Sequence, residues 1–142
     1  FNFFFCGIKF LPANHWTEHY HLSLELFELA SKAALVSGNR SSFDTLSEEV
    51  LSRASCFEDK LNINYLIMSS LVYTPKIVDA LEIGRVICSR LGQDIPTNPS
   101  GENLNADIAS TQALIKGLSE DDLWDYRPMA DPLKLLTMRF HA

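Results

Sequence analysis

The chain has 142 residues, 46% hydrophobic and 21% charged, enough apolar content to bury a core and too much for intrinsic disorder. Its formal net charge is -6 with only 12 Lys and Arg and no basic run, so neither nucleic acid nor an anionic membrane is an expected partner. Cys6, Cys56 and Cys88 are widely spaced and form no C-x-x-C pair, which predicts free thiols in a reduced, cytoplasmic setting.

The opening FNFFFCGIKFLP is apolar but shorter than the roughly 20 residues that a bilayer span needs, and it lacks the basic start and cleavage site of a signal peptide. Residues 1–14 are expected to be the end of a helix that begins upstream, followed by a linker. Over residues 16–36, Tyr20, Leu22, Leu24, Leu26, Phe27, Leu29, Ala30, Ala33 and Ala34 recur at mainly helical spacing, which predicts one long amphipathic helix. Gly38-Asn39 carries the left-handed capping chemistry that ends it. A second helix over 41–56 turns Phe43, Leu46, Val50, Leu51 and Ala54 inward, and its short linker makes it the first helix's antiparallel partner. Asn39-Arg40-Ser41 matches the glycosylation sequon, a pattern short enough to arise by chance.

A third helix over 58–73, with Leu61, Tyr65, Leu66, Met68, Leu71 and Val72, stops before Pro75. Pro75 suits the first turn of a fourth helix, which ends at Leu91-Gly92. Residues 94–101, DIPTNPSG, are the clearest break in the chain. Beyond them, 103–116 reads as a less apolar helix closed by Gly117. Ser119 and Asp122 resemble a capping box opening a short helix through Trp124, with Trp124 and Tyr126 as packing anchors. Glu120, Asp121, Asp122 and Asp125 lack the spacing of a calcium loop and read as a charged helix start. Asp131-Pro132 supplies an N-cap and first-turn proline for a last helix.

The first hairpin falls on the second when displaced by 37 positions: Leu29 on Leu66, Ala34 on Leu71, Leu46 on Ile83, Val50 on Ile87 and Ala54 on Leu91. Helix, tight turn and helix at such a period is the pattern of an α-solenoid, in which each hairpin buries its second apolar face on the next. The expected fold is therefore all-α, built of right-handed α-α hairpin repeats resembling tetratricopeptide repeats. Residues 15–93 form two repeats, 94–101 a loop, and 102–142 further helices of the same region. A plain helical bundle is the competing arrangement.

His15-Trp16-Thr17-Glu18-His19 matches H-x-x-E-H, in which two histidines hold zinc and the glutamate acts as base. His21 lies beside them. A catalytic zinc needs a third protein ligand and a cleft built on mixed α and β elements, and a chain that reads as helical throughout offers no strands for one, so a metal-binding enzyme built on His15, Glu18 and His19 stands only as the alternative reading. No Gly-rich phosphate loop and no nucleophile triad is present. No catalytic, cofactor-binding or metal residues are therefore assigned, and no cofactor is expected in this segment.

The pieces HW-x-x-HY-x-LSLEL, LG-x-x-(I/F)P-x-NPS and MADPLKLLTMR, in that order, resemble the helical repeat region of large multidomain signalling proteins. Those proteins join a protein-kinase-like region, an AAA-type ATPase module and often a histidine-kinase output. The resemblance implies a non-catalytic scaffold or regulatory arm in an ATP-dependent parent, contacting the parent's own ATPase or kinase domains or signalling partners. ATP and Mg would belong to modules outside this segment. Phe43 and Gly84 depart from the tetratricopeptide consensus. A stand-alone helical interaction domain is the further alternative.

Overall fold

A computed structural model of the protein describes residues 2–72, 74–97, 100–119, 121–122 and 127–141, and among these residues eight helices and one 3-10 turn have described bounds. They are α1 (Asn2–Lys9), α2 (His15–Glu18), α3 (Tyr20–Val36), α4 (Arg40–Arg53), the 3-10 turn Glu58–Lys60, α5 (Leu61–Val72), α6 (Ile77–Arg90), α7 (Gly101–Lys116) and α8 (Pro132–His141). No strand occurs among the described residues, so the all-α class holds. The closest pairings are α3 with α4 and α5 with α6; α1 and α2 lie on α3, α5 touches both helices of the first hairpin, and α8 touches both helices of the second.

The 37-residue displacement holds for the second helix of each pair, whereas the buried Phe27, Ala30, Ser31 and Ala34 of α3 fall on residues of α5 that are only partly buried. Moved by 37 positions, α4 coincides with α6 from end to end. Its buried Phe43, Ser47 and Val50 fall on buried Ala80, Gly84 and Ile87.

Two glycines end two helices by one mechanism. At Gly38 (φ 72) the backbone turns left-handed, so that Asn39 N–H donates to Ala34 O at 2.9 Å and Gly38 N–H to Leu35 O at 3.1 Å. Gly92 (φ 80) repeats this after α6, with Gln93 N–H on Cys88 O and Gly92 N–H on Ser89 O. Asn39 also caps α4, its Oδ1 accepting from Ser42 N–H at 3.2 Å. The expected reciprocal cap forms further on: Ser119 N–H donates to Asp122 Oδ2 and Asp122 N–H to Ser119 Oγ. Asp131 Oδ1 accepts from Leu133 and Lys134 N–H at the start of α8. Trp124 and Tyr126 lie outside the described residues.

Helix boundaries differ from the periodicity at five places, one being α7, which starts at Gly101 rather than 103 because Ser100 caps it, its Oγ accepting from Asn103 N–H. The helix expected over 16–36 is broken at His19 (φ -129, ψ 43), where the carbonyls of His15 and His19 turn toward the buried Ser23 hydroxyl, which donates to both. The second helix ends at Arg53 because Ala54 is extended. The third begins as a 3-10 turn. The fourth starts at Ile77 rather than Pro75, because Thr74 Oγ1 donates to Leu71 O and accepts from Lys76 N–H, forming a turn of its own.

The first core comprises Phe27, Ala30, Ala34, Phe43, Leu46, Val50 and, from the second hairpin, Ile63. Phe4, Ile8, Leu11 and Trp16 close it on the α1 side. The second core is Leu61, Ile87, Cys88 and Phe140, flanked by Tyr65, Met68 and Ile83. Gly84 makes room for it: a Cβ there would lie 3.2 Å from Met68 Sδ and 4.0 Å from Phe140 O. Burial raises the Cys88 thiol above its ordinary range, so it behaves as a core residue rather than a nucleophile. Tyr20 ties the hairpins together, donating to Asp59 Oδ2 at 2.6 Å and accepting from Ser55 N–H at 2.7 Å.

Phe43 is fully buried between α3 and α4, whereas Phe10 is 88% exposed. Phe43→Ala should therefore cost about 3–5 kcal/mol, and roughly 10 °C or more in melting temperature, while Phe10→Ala leaves the melt unchanged. Thermal unfolding followed by circular dichroism measures both; equal effects would contradict this assignment of the core.

Candidate functional site

The H-x-x-E-H residues do not converge. The His15 ring stacks on Phe27 at 5.7 Å with an interplanar angle of 13°, and its Nδ1 lies 2.9 Å from Ser23 Oγ. Trp16 donates to Glu49 Oε1 at 3.1 Å, joining α2 to α4. Glu18, His19 and His21 are exposed. Two histidines at i and i+4 share a face only on an unbroken helix, and the backbone departs from helix at His19. Among the described residues, no three His, Cys, Asp or Glu side chains are grouped so as to hold a metal ion.

A cleft of about 300 Å³ opens instead between α3, α5 and α8, lined by Glu25, Glu28, Leu29, Lys32, Asn62, Leu66 and Arg139. Its polar groups form a chain across three helices. Asn62 Nδ2 donates to Glu28 Oε2 at 3.2 Å, and Arg139 Nη1 donates to Asn62 Oδ1 at 3.4 Å. The Arg139 guanidinium also lies 4.3 Å over the Tyr65 ring, a cation–π contact that fixes its plane. Lys32 has no ion-pair partner among the described residues.

Burial pushes the Glu28 carboxyl above its ordinary value. The Asn62 hydrogen bond pulls the other way, Asp59 and Glu25 reinforce the rise, and Arg139 opposes it. Over a floor of Leu29 and Leu66 the cleft thus presents cationic donors from Lys32 and Arg139 beside the carboxylates of Glu25 and Glu28. Donors and acceptors of both signs surround an apolar floor.

None of Glu25, Glu28, Lys32, Asn62 and Arg139 stands out in the sequence as a site residue. The signal that could have found the cleft is the repeat itself, since Glu25 and Asn62, and likewise Leu29 and Leu66, are equivalent under the 37-residue displacement. No protein-family model, curated protein or solved structure matches the chain.

Because Glu28 has a raised folded-state pKa, the folded chain holds its proton more tightly than the unfolded chain above the ordinary value of 4.5. Its stabilising contribution is complete below that value and is lost as pH rises through the folded pKa. Glu28→Gln keeps the Asn62 partner and removes the titration. Urea unfolding across pH should find the variant more stable than wild type at neutral pH, with the gap closing in acid; a gap independent of pH would contradict this burial.

Proposed function

We propose that this chain is a non-catalytic helical-repeat scaffold, a tetratricopeptide-like solenoid segment that mediates protein contacts through the α3–α5–α8 face. The observation that carries this reading is that two pairs of repeat-equivalent residues, Glu25 with Asn62 and Leu29 with Leu66, line a single cleft. Stacking supports it as well, because α5 and then α8 each seat on both helices of the hairpin before them. In the parent protein the segment serves as a regulatory arm of an ATP-dependent signalling assembly, holding either its own catalytic modules or a partner. Support for that parent comes from the resemblance of HW-x-x-HY-x-LSLEL and MADPLKLLTMR, and the segment itself has no phosphate-binding role.

Peptides selected on the intact chain by display should bind the cleft. Lys32→Glu combined with Arg139→Glu is expected to weaken them about tenfold or more, while Arg53→Glu on the exposed side of α4 leaves affinity unchanged. Isothermal titration decides it, and full affinity in the doubly substituted chain would exclude the cleft as the docking face.

A further inference from the structure

One flank of α6 is apolar and open where its repeat equivalent is polar and used. Ile77, Val78 and Leu81 are 48%, 71% and 68% exposed. The same positions of α4 hold Arg40, Ser41 and Asp44, and there Arg40 Nη1 donates to Ser70 Oγ of the following hairpin at 3.1 Å while pairing with Asp44. The α6 flank continues the surface on which α8 already lies, which includes Gly84, Ile87, Cys88 and Leu91. An apolar strip continuous with a helix-bearing surface calls for a further helix.

The chain itself carries such a helix. Leu104, Ile108 and Ile115 of α7 fall on one stripe, extended by Leu118 just beyond the helix. No residue of α7 is buried, and α7 forms no extended pairing with any other described helix. Its 16 residues span about 24 Å, close to the length of α6, and an isolated helix of that size is marginal in water without cover. The nine residues 92–100 reach at most about 30 Å, enough for α7 to turn back along α6 in the antiparallel sense. Ile108 then comes level with Leu81, Glu102 near the start of α7 lies between the levels of Arg85 and Arg90, and Asp107 comes level with Glu82, whose charge Arg85 already pairs.

We propose that α7 also docks antiparallel on the Ile77–Val78–Leu81 flank of α6, a position other than the unpaired one in which the structure places it. The occupant is this chain's own helix, whatever binds the α3–α5–α8 cleft.

Leu81→Cys with Ile108→Cys, in a chain also carrying Cys6→Ser and Cys56→Ser, tests it. Mild oxidation of the full chain should join the pair within one molecule in most of the sample, read by non-reducing electrophoresis and peptide mass. Ile77→Cys with Leu104→Cys, at opposite ends of the antiparallel arrangement, should stay reduced. Absence of the first disulfide, a disulfide between two chains, or equal yield from both pairs would each overturn the proposal. Hydrogen exchange on the unsubstituted chain gives an independent reading: amides of residues 104–115 should exchange at least tenfold more slowly than in a free peptide, and peptide-like rates would refute docking.

Discussion

Ile63 is the residue on which the arrangement turns. It belongs to the second hairpin yet is completely buried in the core of the first, among Phe27, Phe43 and Val50. A two-helix hairpin has two apolar sides and can satisfy only one internally. By giving Ile63 to its neighbour, α5 converts the unsatisfied side of the first pair into an interface and positions its own opposite side, through Leu61 and Tyr65, to receive Phe140. The cleft follows from this, because α3, α5 and α8 line it together.

Close approach within the first hairpin depends on small residues. Ala30, Ala34, Ser31 and Ser47 are all buried in α3 and α4, and only such short side chains leave space for the Phe43 ring between the two backbones. The serines carry a polar cost that is met locally where it can be: Ser31 Oγ donates to Phe27 O, and Ser23 Oγ to the carbonyls at the break before α3. Ser47 Oγ has no such partner. The repeat equivalent of Ser47 is Gly84, which loses the hydroxyl altogether and admits the α8 backbone.

Much of this was legible because helical periodicity and capping chemistry are local. The turns at Gly38 and Gly92, the reciprocal cap at Ser119 and Asp122, and the Asp131-Pro132 start depend on a few adjacent residues, and each was readable from the letters alone. The break at His19 was not, since it rests on a buried serine hydroxyl four residues on, and serine in a helix gives no such sign. The same holds for the cleft. Charged residues on a helix surface look alike whether they face water or a neighbouring helix, and the Asn62–Arg139 contact spans 77 positions that no pattern of spacing connects. The H-x-x-E-H letters show the converse hazard, in which a motif of five residues is present while its first histidine is taken up by ring stacking on Phe27.

That long-range contact also sets an order of events during synthesis. Glu25 and Glu28 leave the ribosome before Arg139 and can fold with α4 as soon as the first pair is free, whereas Arg139 follows more than a hundred residues later. The wall of the cleft that α8 contributes therefore forms only after the rest of the segment has been made. The complete cleft, with both Glu28 and Arg139 in its walls, arrives in one step with the docking of α8 on α5 rather than growing helix by helix.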